Sequence, residues 1–315
     1  MSKQSKKSPP VLVLVGPTAS GKTEVACCLA EPLHAAIVSA DSRQIYKWMN
    51  IGTAKPTPAE QKNIPHYFVD LLTPDQEFSA GEYARRARSL IQTLRNQGQF
   101  VLVVGGSGMY IQALLDGFFP PAVNDPAIKA RLKERVRIEG PEPLHRELEK
   151  IDPERAAELH PRDAHRIVRA LEVYYVSGQT FTALRRQKRI PAPFPFVQFG
   201  LRWPREILYK RIESRVDQMI NAGLEREVRA LLARGLHPEL NALQSVGYRE
   251  MIAYIRGEMS YADMVAKIKQ HTRNFAKRQM TWFRKDRRIH WIDMEQFAEV
   301  QEAAARILEL YHAML

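Results

Sequence analysis

Cysteine is nearly missing: Cys27 and Cys28 are the only two in 315 residues, and as neighbours on one predicted helix they are badly placed to bridge each other. That excludes a disulfide scaffold and reads as core packing in a reducing compartment. No apolar run approaches the roughly 20 residues that cross a bilayer, and there is no internal repeat or low-complexity tract. Met1 to Pro10 is polar and basic, without the apolar stretch of a signal peptide, so the expectation is a cytoplasmic chain with no membrane partner. Acid is also in short supply, with 35 acidic residues against 47 basic ones and a net charge of +12. Such an excess implies an anionic partner larger than one phosphate group, or a merely solvated surface if the charges are scattered. The length suffices for one large core with a smaller appended domain.

What is present begins with five apolar residues, Val11-Leu12-Val13-Leu14-Val15, followed by Gly16-Pro17-Thr18-Ala19-Ser20-Gly21-Lys22-Thr23. Strand, glycine turn and helix in that order fit the phosphate-cradling loop G-x-x-x-x-G-K-[ST]. Gly16 and Gly21 remove Cβ atoms that would block the backbone, so successive N–H groups and the helix N-terminus can face one polyphosphate. Lys22 supplies a point charge and Thr23 a hydroxyl for Mg²⁺, the expected cofactor. The bland alternative, a glycine-rich turn matching by chance, does not account for the strand–turn–helix setting.

A second strand, residues 35–39, runs into Ala40-Asp41-Ser42-Arg43-Gln44, and the rhythm implies a parallel sheet with ligands beyond the C-terminal strand ends. Asp41 therefore falls beside the phosphate loop, where it is either functional or a helix cap or turn residue. Residues 66–70 read as a short strand ending in Asp70, and Ser79-Ala80-Gly81-Glu82 as a capping box opening a helix to about Gln97. Phe100 to Val104 is a buried strand ending in Gly105-Gly106-Ser107. A nucleotide hydrolase wants an acid at such a strand end; Asp70 is one candidate, but the more apolar strand ends in glycine.

After Phe118-Phe119-Pro120-Pro121 the composition turns charged and helical, with Asp152 and Asp163 as N-caps, until Pro191-Ala192-Pro193-Phe194-Pro195. We read residues 1–119 and 196–315 as a phosphate-loop α/β core and residues 120–195 as an inserted all-helical domain. Two basic segments there, residues 165–169 and 185–189, are either solvated helix faces or a groove for a phosphodiester backbone. Arg211 and Arg215 share a helix face. Ser260 caps a long helix to about Lys285 whose basic residues continue through Arg288, while Phe275, Trp282 and Phe283 are assigned to the core.

Taken together, Gly16 to Thr23, Ala40-Asp41-Ser42-Arg43-Gln44-Ile45-Tyr46, Ile51-Gly52-Thr53-Ala54-Lys55-Pro56, Gly105-Gly106-Ser107, Val246-Gly247-Tyr248-Arg249 and Lys277-Arg278-Gln279-Met280-Thr281-Trp282 resemble the tRNA dimethylallyltransferases, in that family's order and over nearly the whole chain. One departure is Ser107, where the family usually has threonine; the hydroxyl is kept. The resemblance implies that the loop holds dimethylallyl diphosphate and that the five-carbon group moves to N6 of the adenosine just 3′ of the anticodon. It assigns catalysis to Asp41 as base, Thr23 with Mg²⁺, and Arg215. It assigns tRNA contact to Asp41, Ser42, Arg43, Gln44, Ser107, Lys129, His165, Arg166, Ile167, Val168, Arg169, Gln244, Ser245, Val246, Gly247, Tyr248, Arg249, Lys277, Arg278, Gln279, Met280, Thr281, Trp282, Phe283 and Arg284. A monomer is the expected form. An ATP-dependent small-molecule kinase would share the loop and sheet without explaining the charge, and a nucleic-acid-binding module with a degenerate loop would not need Lys22 and Thr23.

Overall fold

In the computed structural model, residues 9–117 and 125–315 are described; the expected boundary at 119/120 and most of the basic leader lie outside them. The elements, in chain order, are β1 (Val11–Val15), α1 (Lys22–Leu33), β2 (Ala36–Ser39), α2 (Pro58–Gln61), β3 (His66–Tyr67), α3 (Ala80–Asn96), β4 (Val101–Gly105) and α4 (Gly108–Asp116). A helical stretch follows: α5 (Pro126–Glu139), α6 (Pro141–Ile151), α7 (Pro153–Ala157), α8 (Ala164–Ser177) and α9 (Phe181–Arg186). The chain then returns to the sheet through β5 (Phe196–Arg202), α10 (Arg205–Asn221), α11 (Leu224–Ala233), α12 (Tyr248–Ile255), α13 (Tyr261–Phe283), β6 (Ile289–Asp293) and α14 (Val300–His312).

The six strands form one parallel sheet in the order β3-β2-β4-β1-β5-β6. Both faces are covered, which is why β1 is apolar at every position instead of alternating. Val11, Val13 and Val15 point into a core shared with α3, α4 and α11 to α13, and Leu12 and Leu14 into one shared with α1 and α14. The chain leaves β1 toward β2 and β3, comes back to β4 beside it, and later places β5 on its other side. The crevice at the C-terminal end of β1 is thus where such a sheet binds ligands.

The helical stretch has its own apolar cluster, with Leu132, Leu144, Leu148, Ile167 and Leu171 at its centre. Asp152 accepts from Arg155 N at the start of α7 and from Thr182 N of α9, and Asp163 accepts from Arg166 N, so both caps form as the sequence indicates.

Three local expectations need correction. The third strand stops at Tyr67, because Phe68 and Asp70 take left-handed φ values of 62° and 52° and turn the chain away. Ser79 caps α3 by accepting from Glu82 N, but Glu82 turns to Arg85 and Arg86 instead of closing the box. Of the three aromatics assigned to the core, only Phe283 is buried; Phe275 and Trp282 are about two-fifths exposed, at 38% and 41%.

Candidate active site

The phosphate loop is shaped from outside as much as by its own glycines. Gly21 sits at φ 90° and Ala19 at φ 61°, and a Cβ on Gly16 would lie 2.9 Å from Ser20 Oγ and 3.0 Å from the Leu201 carbonyl. Two carbonyls of the turn are drawn outward: Trp203 Nε1 donates to Ser20 O (3.1 Å), and Arg211 Nε donates to Ala19 O (2.9 Å) with its guanidinium over the Trp203 ring. A peptide whose carbonyl is held outward turns its N–H inward, so the Trp203 contact aims the Gly21 amide into the crevice, while the Ser20 amide donates to Pro17 O within the turn. Ser20 Oγ is buried with no partner among the described residues, a hydroxyl left over for a ligand oxygen.

Lys22 folds back so that Nζ donates to Pro17 O (2.6 Å). Burial, with the nearby Arg215 guanidinium second and Asp41 opposing, lowers its ammonium to about 7. Arg215 is itself lowered, first by burial, with Glu24 drawing it back up. Both side chains are half-buried, and a guanidinium that depresses a neighbouring ammonium favours an anion beside the two. Thr23, in the first turn of α1, lines a small cavity of about 30 Å³ with Ser39, Gln44 and His66.

Asp41 stands at the end of β2, two strands from the loop. Its Oδ1 accepts from Arg43 N (2.8 Å) and Gln44 N (3.3 Å), so one oxygen fixes the turn, while Oδ2 has no protein partner among the described residues. The turn is knitted to β4: Ser107 Oγ accepts from Ser42 N (2.9 Å), and a Cβ on Gly105 would lie 2.2 Å from Ala40 O. Gly105 is therefore glycine for close packing. Arg43 donates to Asn241 O (2.8 Å), and Gln44 Nε2 to Ala54 O (3.0 Å). The segment Gln44 reaches is clamped in turn by Glu227, which accepts from the amides of Asn50, Ile51 and Gly52 and from Tyr248 Oη. Asp70, the candidate strand-end acid, has one oxygen engaged as the counterion of buried Lys55 (2.6 Å).

Several residues assigned to tRNA contact have side chains buried within the fold. Ile167 and Val168 are in the helical core, Phe283 is in the sheet core, and Tyr248 is fully buried against Glu227. Buried Gln279 accepts from Thr18 N and donates to Gly106 O. Gly247 is buried, its amide held by Glu250; Ser245 Oγ donates to Ala242 O, and Val246 and Met280 are half-buried. Lys129 is paired with Glu77, Arg169 with Glu172, and Arg249 with Glu250. His165, Arg166, Gln244, Lys277, Arg278, Thr281, Trp282 and Arg284 are exposed. The basic run at 185–189 is spent in part within the fold, since Arg185 and Arg186 pair with Glu154 and Glu158. For Lys129, Arg169, Arg185, Arg186 and Arg249, residue type identifies a charge but not its partner. Trp203 and Glu227 are the residues sequence reading missed; the pairing of Arg211 with Arg215 on one face was the available signal for the loop's outer brace.

The profile of a family described as IPP transferase matches residues 44–286. A Pelotomaculum thermopropionicum protein named tRNA dimethylallyltransferase is 44% identical over 316 residues, covering all of both chains. The solved tRNA delta(2)-isopentenylpyrophosphate transferase of Staphylococcus epidermidis is 35% identical with a TM-score of 0.71, over 97% of this chain and 99% of that one. A eukaryotic dimethylallyltransferase solved while acting on tRNA shares the fold at a TM-score of 0.78 and 24% identity, over 97% of this chain and 80% of its own. With a profile spanning most of the sequence and a full-length relative at this identity, the chain belongs to the IPP transferase family, the tRNA dimethylallyltransferases.

Proposed function

We propose that this chain transfers the dimethylallyl group of dimethylallyl diphosphate to the exocyclic N6 of the adenosine 3′-adjacent to the anticodon in tRNA, releasing diphosphate. The observation that carries the reading is a phosphate loop with Lys22 Nζ on Pro17 O and a buried, unpartnered Ser20 Oγ, in a strand-end crevice that also holds Asp41, whose Oδ2 has no protein partner among the described residues. Adenine N6 is a poor nucleophile because its lone pair is delocalised into the ring. As the N6–C1 bond forms and the C1–O bond to diphosphate breaks, the N6 proton passes to Asp41 Oδ2. Charge gathering on the leaving group is met by Lys22, Arg215, the inward Gly21 amide and the N-terminus of α1.

The hydroxyl of Thr23 at the N-terminus of α1 suits Mg²⁺ only in company with phosphate oxygens, because no group of three His, Cys, Asp or Glu among the described residues could hold the ion alone. Bound there with the diphosphate, Mg²⁺ would neutralise leaving-group charge. The target base lies stacked in an anticodon loop and is extruded to reach Asp41. The Asp41 to Gln44 turn, Ser107 and the exposed residues of α13 border its entry.

A kinase reading lacks a carboxylate at the end of β4 and has one oxygen of Asp70 engaged by Lys55. The decisive assay incubates the protein and Mg²⁺ with unmodified tRNA plus either dimethylallyl diphosphate or ATP, and weighs the tRNA nucleosides. A prenylated adenosine only with the first donor is the expected result; no mass change with either overturns the reading.

A further inference from the structure

We infer that Gln279 couples the RNA-facing helix α13 to the phosphate loop, as a positioning residue through which each substrate senses the other. The inference rests on the function proposed above.

Gln279 is 7% exposed and its side-chain amide is held at both ends. Its Oε1 accepts from Thr18 N (2.8 Å) in the phosphate loop, and its Nε2 donates to Gly106 O (2.9 Å) in the turn after β4. The two partners fix the amide's orientation, since the flipped form would set donor against donor and acceptor against acceptor. Three separate segments meet here with no slack. A Cβ on Gly106 would lie 2.4 Å from Gln279 Nε2 and 3.4 Å from Gly16 O, so Gly106 is the residue that admits the amide.

The other face of the same helical turn is exposed and basic. Lys277 and Arg278 precede Gln279, and Thr281, Trp282 and Arg284 follow it. The first half of α13 is anchored to α10 by the pairs Lys269–Asp217 and Arg273–Glu213, whereas Lys277, Arg278 and Arg284 have no ion pair among the described residues. Phosphates that draw this end of the helix toward RNA therefore move a rigid side chain whose far end is bonded to both walls of the crevice. The Thr18 amide is one of the groups such movement redirects, and an amide committed to Gln279 is not available to diphosphate. Occupancy of either site then alters the other's affinity, and by linkage the factor is the same in both directions.

The test titrates Mg²⁺–inorganic diphosphate into the full chain by calorimetry, alone and saturated with an unmodified anticodon stem-loop RNA. For the wild type the two diphosphate affinities should differ by about tenfold, within the usual range of coupling. Gln279→Met removes both bonds at similar volume and should bring the ratio to within about twofold of unity, while RNA alone binds as before. Gly106→Ala, which displaces the amide from the opposite side, should do the same, and Gln279→Glu, which keeps an acceptor for Thr18 N, should retain part of the ratio. Thermal melts of all four proteins establish that they are folded, and either Gly106→Ala or Gln279→Glu decides the matter if Gln279→Met does not fold. An unchanged ratio in the folded variants, or a wild type that binds both probes independently, overturns the coupling alone. A wild type that binds no stem-loop RNA at all overturns the functional reading instead.

Discussion

The open end of the sheet and the helical stretch from Pro126 to Arg186 handle polar groups in opposite ways. At the sheet end, side chains bond backbone far away in sequence: Gln279 to Thr18 and Gly106, Arg43 to Asn241, Glu227 to residues 50–52. In the helical stretch many pairs are between neighbouring turns, with Arg135 to Glu139, Arg137 to Glu134, Arg155 to Glu158 and Arg169 to Glu172, and the longer ones, such as Arg185 and Arg186 to Glu154, join side chains to side chains. Exposed local pairs such as Arg137–Glu134 fix little geometry. Long-range bonds to backbone hold loops and helices from separate parts of the chain together, and a reaction centre needs that. The difference teaches that a site assembled from distant segments is more sensitive to single changes than a helical surface of equal charge.

The largest expected effect follows from Asp41→Asn. Asparagine keeps Oδ1 as acceptor for Arg43 N and Gln44 N, so the turn and RNA affinity should survive, while loss of the base slows single-turnover prenyl transfer by on the order of 10²- to 10⁴-fold. Wild-type rates, or recovery in excess Mg²⁺, would assign Asp41 to the turn or to the metal instead.

Next in size is the pH dependence of diphosphate binding. Lys22 is lowered to about 7 in the free protein, and a bound anion raises it again. Binding therefore takes up a proton above pH 7, and affinity falls as pH rises, approaching about tenfold per unit. Calorimetry in buffers of differing ionisation heat, with Lys22→Ala subtracting the ligand's own titration, should show this uptake in the wild type only. Equal pH dependence in the two proteins would contradict it.

On the helical side, Ile167→Ala should cost about 2–5 kcal/mol, since Ile167 is fully buried in that stretch's own cluster. Chemical denaturation checks the loss, and diphosphate binding at the sheet end should be unaffected. A change in that affinity would show that the two regions are energetically one.

How much of this was legible from residue order alone varies with the range of the interaction. Val11 to Thr23 specify strand, loop and helix because each step is local, and Asp152 and Asp163 specify their caps for the same reason. Asp41 is placed by strand-end logic, but its double use, one oxygen to the turn and one outward, is not visible in the sequence. Gln279, Glu227 and Trp203 act across 261, 175 to 177 and 183 residues, beyond any periodicity or spacing rule. Charge runs mislead most: 267–288 and 185–189 look alike in sequence, yet Arg185, Arg186, Lys269 and Arg273 are paired with acids contributed by other helices or turns.

That last distinction bears on the proposed function at its centre, where we propose that the RNA phosphates meet Lys277 and Arg278 of α13, which have no ion pair among the described residues, and not the paired Arg185 and Arg186. The direct measurement is the salt dependence of stem-loop binding for two charge reversals side by side, Lys277→Glu with Arg278→Glu and Arg185→Glu with Arg186→Glu. The slope of log affinity against log salt falls by about 0.7 to 0.9 for each phosphate the protein no longer neutralises. The expected result is a slope smaller by up to about two such steps in the α13 pair and an unchanged slope in the other; equal slopes, or the reverse order, would contradict the claim.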